Sequence, residues 1–330
     1  MLQFLQIEVG QEYSDSCYTL AKSFTYLYEN FPQLAHDVLE IENILSRSYS
    51  FFKLVQNSVN EFSEEGRGDD YINSIKICPL VRQEGVIELL KLANLEPTLS
   101  FNSDYIIGDF LAGDGYIEQI TNTLLPESKR PSFINSDISH YMFQICKDAG
   151  RFAVLQDAKD LYWLRSDSLD AGIFAYGTHH IPQIERSQAA KEAARVLKIG
   201  GRWVLHDFEE GGPMARWFRD IVNTFGKTRH DYPHFTCEEM LGLAMDAGLR
   251  DVKLDYISDP FVVQAATEAE ALSLLANYVI KMYGLTGLSK EINKTIELLE
   301  QYFGVDVHHL TTGNYEAKIT RNALVCHGTK

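Results

Sequence analysis

The stretch Asp104–Gly115, D-Y-I-I-G-D-F-L-A-G-D-G, constrains the fold more than any other part of the chain. An apolar, β-branched run ends in an acid and then in a turn with two glycines. That is how a parallel strand enters a nucleotide-type site. Gly113 and Gly115 let the backbone turn sharply and approach a ligand with no Cβ in the way. Tyr116–Leu125 then reads as a helix whose N-terminus faces that ligand. A buried parallel strand needs crossover partners, and the next 90 or so residues supply them. Strands are predicted at 104–110, 132–137, 152–156, 169–176 and 202–208, with helices at 116–125, 139–149 and 185–197. Repeated β-α-β units predict an α/β fold: a doubly wound, Rossmann-like, mostly parallel sheet with helices on both faces.

The flanks read differently. Residues 1–100 are mostly helical, with amphipathic stretches at Cys17–Phe31, Leu34–Phe62 and Pro79–Leu95 and a polar link at 64–70. Their aromatic content suggests a helical cap over the sheet, with a few aromatics lining an apolar acceptor pocket. Beyond the strands, Thr236 and Glu239 form a capping-box pattern for a helix at 236–247. Strand Val252–Ser258 follows, then a helical segment at 267–303 and a closing strand at Ala323–Gly328. The expected domains are a cap at 1–100 and a catalytic domain at 101–330, with a helical insertion at about 260–320, too long for an ordinary loop.

Charge and cysteines exclude some functions. The formal net charge of −16 argues against a nucleic-acid backbone or an anionic membrane as partner. The five cysteines are scattered, without CxxC spacing, which suggests reduced thiols in a cytoplasmic protein. No run is apolar enough to span a bilayer, and the N-terminus has no signal-peptide pattern.

The strand ends carry the chemistry. Strand one gives Asp109 and the glycine turn. Strand two ends at Asp137-Ile138-Ser139, strand three at Asp157-Ala158, and strand four at Ala175-Tyr176-Gly177-Thr178-His179-His180. An acid after strand two can accept from ribose hydroxyls, and one after strand three from a purine amine. Taken singly, each acid reads equally as a helix N-cap worth ~0.5–2 kcal/mol. Three acids at three consecutive strand ends point instead to a nucleoside.

With these residues in hand, the chain resembles the class I S-adenosylmethionine-dependent methyltransferases, and within them the small-molecule ubiquinone/menaquinone methyltransferase branch. D-F-L-A-G-D-G at 109–115 falls where the family has D-L-G-C-G-T-G. L-D-A-G-I-F-A-Y-G-T-H-H-I-P at 169–182 and E-A-A-R-V-L-K-I-G-G-R-W-V-L at 192–205 fall in register with two later blocks. The resemblance implies a seven-stranded sheet and S-adenosylmethionine as cofactor, with S-adenosylhomocysteine as product. It places Asp109, Ala112, Gly113 and Gly115 at the methionine portion, Asp137 and Ile138 at the ribose, and Asp157 with Ala158 at the adenine. Ala175 and Tyr176 complete the cofactor set. One departure stands out: Leu111 replaces the family's first glycine and adds bulk where the backbone meets the cofactor.

Methyl transfer is an in-line displacement at a sulfonium, and alignment alone can supply ~7–11 kcal/mol. Where the acceptor needs deprotonation, an imidazole suits the task. His179, His180 and His206 are the candidate bases, each with the alternative of merely fixing a loop. Tyr116 and Asp207 are candidates on the acceptor side. His308 and His309 are adjacent, and neighbouring residues do not usually converge on one ion, so no metal is expected there. The predicted acceptor is a small, partly apolar metabolite methylated on oxygen, nitrogen or carbon, as in a biosynthetic transferase. Two other readings fit the same chain. One is an enzyme that keeps the cofactor but catalyses a different reaction; the other is a non-enzymatic protein that dimerises through its helical additions.

Overall fold

The computed structural model describes residues 23–56 and 60–330. The expected helix at Cys17–Phe31 therefore lies partly outside the described residues. Its described portion is α1, residues 23–30. It is followed by α2 (Pro32–Val38), α3 (Ile41–Gln56), α4 (Gly68–Ile77) and α5 (Gln83–Leu92). The alternating part runs β1 (Ile106–Asp109), α6 (Tyr116–Leu124), β2 (Ser132–Asp137), α7 (His140–Asp148), β3 (Ala153–Leu155), β4 (Leu169–Phe174), α8 (Arg186–Val196) and β5 (Leu197–Asp207). After it come α9 (Pro213–Trp217), a π-helical turn, α10 (Asn223–Phe225), α11 (Cys237–Asp246) and β6 (Arg250–Ser258). The chain closes with β7 (Phe261–Ala265), α12 (Glu268–Met282), α13 (Ile292–Phe303), β8 (Val305–His309), β9 (Tyr315–Ile319) and β10 (Asn322–Thr329).

The main sheet has seven strands in the order β3-β2-β1-β4-β5-β10-β6. Every pairing among the first five is parallel, and β10 runs antiparallel to both β5 and β6. This is the seven-stranded, mostly parallel sheet that the sequence predicts. The order reverses between β1 and β4, so the crevice at their carboxyl ends is the topological switch point where ligands bind.

Apolar residues on the two faces form two cores. One gathers Val86, Leu89, Ile107, Ile117, Ile173 and Trp217. The other gathers Phe110, Phe152, Trp163, Trp203 and the alanines of α8, whose small side chains bring that helix close to the sheet. The N-terminal helices divide between them: Val38, Leu39 and Ile44 pack on the second core, whereas α5 shares the first with β1 and β4.

Three local readings are corrected. The polar link at 64–70 is shorter than expected, because α4 already starts at Gly68. Thr236 caps α11 through Glu239 N–H, but the carboxylate of Glu239 turns to Arg186 at 2.9 Å instead of completing the box. The reciprocal capping box forms at Thr267 and Glu270 of α12. Finally, the insertion is not wholly helical. It contains a three-stranded antiparallel sheet, β7-β9-β8. Phe261, Val263, Ala317 and Ile319 are buried in it while Gln264 is exposed, an alternation of period two in runs too short to stand out from sequence.

Gly115, at the start of α6, has φ +83°, and a Cβ there would lie 2.6 Å from Cδ of Arg151. Gly115→Ala is therefore expected to lower stability by about 1–2 kcal/mol from the backbone alone, with the Arg151 clash adding to it. Urea unfolding of the variant checks this; an unchanged midpoint would show that the turn is not held as described.

Candidate active site

The glycine turn is tied to the end of β2. Gly113 N–H donates to Oδ2 of Asp137 at 2.8 Å, and Ser139 N–H donates to Oδ1 at 2.8 Å. Each carboxylate oxygen keeps a lone pair for a ligand hydroxyl. Ala112 is buried and joins its N–H to Ser136 O, locking the turn between β1 and β2. Asp109 is almost fully buried and accepts a long bond, 3.4 Å from Leu111 N–H. Burial pushes its carboxyl up to about 8. Burial also raises Asp114 and Asp137, and Oδ1 of Asp114 is buried without a hydrogen-bond partner.

Above this acidic end lies Arg82, also buried. Among the described residues no carboxylate pairs with it. Its guanidinium sits 4.2 Å from the Tyr116 ring centroid and 4.5 Å from that of Tyr176, and it donates to Tyr71 Oη at 3.2 Å. Its Nε has no partner. These groups fit S-adenosylmethionine. Asp109 and Asp114 are under-bonded acids suited to its ammonium, Arg82 is an unpaired cation suited to its carboxylate, and Asp137 has acceptor capacity for its ribose.

The structure brings some predicted residues together and leaves others apart. A cavity of about 190 Å³ is lined by Phe62, Tyr71, Leu111, Gly113, Asp137, Ile138, Tyr176, His180 and Tyr232, among others. Leu111 forms part of its wall. A deeper cavity of about 40 Å³ shares Phe62, Tyr71, Tyr176 and His180 and adds His179, Arg82 and Arg321. Ala175 is buried at the end of β4, and Tyr176 beside it has φ +62°, the left-handed region that non-glycine residues rarely adopt. Asp157 and Ala158 line neither cavity. Asp157 is engaged by the Lys159 N–H at 3.1 Å and by the Lys159 ammonium at 3.3 Å, and Ala158 is core.

His206 is fully buried and lines neither cavity. Its Nδ1 lies 3.4 Å from Tyr176 N, and its Nε2 lies 3.8 Å from Asp259, which pairs with Arg321 at 2.5 Å. That is a structural network behind the site. Tyr116 is likewise buried, its hydroxyl accepting from Arg82 N–H at 3.3 Å. Asp207 sits behind His179, whose Nδ1 is 2.9 Å from both carboxylate oxygens. Burial alone would raise the Asp207 carboxyl, yet His179 and His234 hold it well below the usual carboxylate range.

Sequence reasoning missed four members of the site: Glu61, Arg82, His230 and His234. The rings of His230 and His234 lie 4.8 Å from that of His179. Glu61 binds Arg67 at 2.5 Å and lies 3.5 Å from Nδ1 of both His180 and His230. The signal available was R-H-D-Y-P-H-F at 229–235, two histidines four apart in a loop. Glu61 and Arg82 gave none, since only tertiary folding places them over the strand ends.

Residues 115–205 match the family model of a methyltransferase domain. The matched stretch runs from the glycine turn to β5, so the chain carries a methyltransferase domain, built here on a seven-stranded, mostly parallel sheet. Over 70 residues it is 39% identical to an Arabidopsis thaliana tRNA (carboxymethyluridine(34)-5-O)-methyltransferase, a match spanning 21% of this chain and 17% of that protein. Among solved structures, a Thermotoga maritima S-adenosylmethionine-dependent methyltransferase aligns with TM-score 0.48 and 14% identity, covering 81% of this chain and 97% of that one. A Haemonchus contortus phosphoethanolamine N-methyltransferase in complex with S-adenosylmethionine aligns with TM-score 0.48 and 14% identity, covering 85% of this chain and 60% of that one. No helix among the described residues is long and apolar enough to cross a membrane.

The raised carboxyl of Asp109 gives a pH-dependent expectation. In the folded protein it stays protonated up to about pH 8, while in the unfolded chain it ionises near ~4. Stability linked to it is fully present below the unfolded value and is lost as pH rises toward 8. Asp109→Asn should therefore stabilise the ligand-free protein increasingly from pH 5 to pH 8, while weakening S-adenosylmethionine binding at pH 8. Thermal unfolding across that range checks it; a difference that does not change with pH would refute the assignment.

Proposed function

We propose that the enzyme transfers the methyl group of S-adenosylmethionine to a small, partly apolar metabolite held in the enclosed space beside His179 and His180. The observation that carries this reading is that the cavity at Asp137 and Gly113 and the deeper cavity at the histidines share four walls, Phe62, Tyr71, Tyr176 and His180. A cofactor seated with its ribose at Asp137 and its methionine end between Asp109 and Arg82 would direct the sulfonium methyl toward that shared wall. The cofactor supplies an electrophilic methyl on a positively charged sulfur. The chain supplies orientation and exclusion of water.

The acceptor end is mixed in character. Phe62, Phe208, Phe218 and Phe261 give it apolar surface, and the histidines and Arg321 give it polar groups. Burial, with His179 next, holds His180 well below its ordinary value, so its ring is neutral and able to accept a hydrogen bond from an acceptor hydroxyl or amine. Residues 60–71 and the loop carrying Tyr232 line the cofactor cavity together with the sheet, which favours a small acceptor over a macromolecule. The net charge of −16 supports the same choice.

Incubation with methyl-labelled S-adenosylmethionine and a panel of phenols, prenylated quinols, small amines and transfer RNA tests the proposal. Label is expected in a small apolar acceptor; label confined to transfer RNA would overturn it. Arg82→Gln should raise the Kd for S-adenosylmethionine about 10- to 100-fold, the scale of losing a charged hydrogen bond, and calorimetric titration measures it. Unchanged affinity would mean that the methionine carboxylate binds elsewhere.

A further inference from the structure

The histidine cluster contains more donors than a single proton-accepting base needs. One ring nitrogen from each of His179, His180 and His230 lies within 4.8 Å of the others. His179 is 2% exposed and His230 3% exposed, so their polar atoms have little access to water. Nε2 of His179 and both ring nitrogens of His230 nevertheless have no hydrogen-bond partner. A buried polar atom left unpaired costs about 1–3 kcal/mol. Unpaired ring nitrogens on two members of one close cluster point to a ligand there.

The far sides of the same rings are arranged differently. Nδ1 of His179 is 2.9 Å from both oxygens of Asp207, which also receives the His179 N–H at 2.7 Å. Nδ1 of His180 and Nδ1 of His230 each lie 3.5 Å from Oε2 of Glu61, whose other oxygen is held by Arg67. The His179 ring is thus hydrogen-bonded at Nδ1, and Glu61 lies beside Nδ1 of the other two, with no hydrogen bond to Nδ1 of His230. In metal sites a ligating histidine commonly donates its second N–H to a carboxylate, which fixes its tautomer and orients the other nitrogen toward the ion.

Glu61 pairs with Arg67, and Asp207 with His179 and His234. Donor type narrows the class of ion. Nitrogen donors in this number select zinc and its first-row neighbours over magnesium or calcium, which take oxygen ligands.

We propose that His179, His180 and His230 hold a divalent zinc-type ion, oriented by Asp207 and Glu61, at the acceptor end of the site. His179 and His180 also line the deeper cavity, so the ion's remaining coordination position opens on the space beside the methyl site. This goes against the expectation of a metal-free chain drawn from sequence, which had only the adjacent His308 and His309 to weigh. Those two lie on β8, far from the cluster in sequence and largely exposed.

The test uses the full chain, stripped with a chelator and titrated with cobalt(II) and zinc(II), with elemental analysis and the visible spectrum of cobalt as readouts. The expected result is one ion per chain and a spectrum typical of nitrogen-ligated, low-coordinate cobalt. His230→Ala should weaken cobalt binding at least ~100-fold and Glu61→Gln ~10- to 100-fold, while His309→Ala leaves it unchanged. His180→Gln, at a partly exposed position, provides the same comparison should His230→Ala fail to fold, and circular dichroism of each variant reports its folding. A stripped protein that takes up neither ion, or folded His180→Gln or His230→Ala that binds cobalt as the unaltered chain does, would overturn the proposal and leave the cluster a hydrogen-bonded proton store.

Discussion

Burial of charge at the carboxyl edge of the sheet is the constraint on which the rest of this structure depends. Asp109, Asp137, Asp207 and Asp259 all sit where strands end or turn away, and Glu61, Arg67, Arg82 and Arg321 come down on them from other elements. Ionised groups in a low-dielectric setting are tolerated only when paired and hydrogen-bonded. Some here are: Asp259 with Arg321, Glu61 with Arg67, and Asp207 with His179. Others are less well matched: Oδ1 of Asp114 and Nε of Arg82 are buried without a hydrogen-bond partner, and burial raises the Asp109 carboxyl.

That arrangement explains why the additions to the sheet are where they are. α4 packs against α12, and α5 shares a core with β1 and β4, so the segment 60–82 is held over the strand ends from two sides. Arg67 donates to Met282 O at 2.7 Å, joining the N-terminal region to the insertion. Tyr71 then lies over the glycine turn, with its hydroxyl 3.8 Å from where a Cβ of Gly113 would stand. The wall over the strand ends is thus joined from two segments more than 200 residues apart in the chain.

The histidines show how a loop gains chemistry from its support. His179 is set by the turn after β4 and by Asp207 at the end of β5. His230 stacks on Phe218 at 3.9 Å with an 18° tilt, which fixes the loop carrying it against α9 and the π-helical turn. Phe218 and Val222 belong to that turn, a local irregularity of a kind that often sits at functional sites. Side chains held this way keep their positions without a ligand, which lowers the reorganisation needed on binding.

The amino-acid sequence by itself determined the sheet and the acids and glycines at its strand ends. Apolar, β-branched runs ending in acids, and the two glycines after Asp109, are local signals, and the strands and helices at 104–207 follow them within a few residues. Tertiary structure decided what faces the acceptor. His206 reads like His179 in sequence but is sealed behind Tyr176, because successive strand residues point to opposite sides and its ring faces the Asp259–Arg321 pair. Asp157 reads like Asp137 but is taken up by its neighbour Lys159. Glu61, Arg82, His230 and His234 carry no periodic pattern, and their roles exist only because packing of distant segments brings unpaired charges and ring nitrogens to one place.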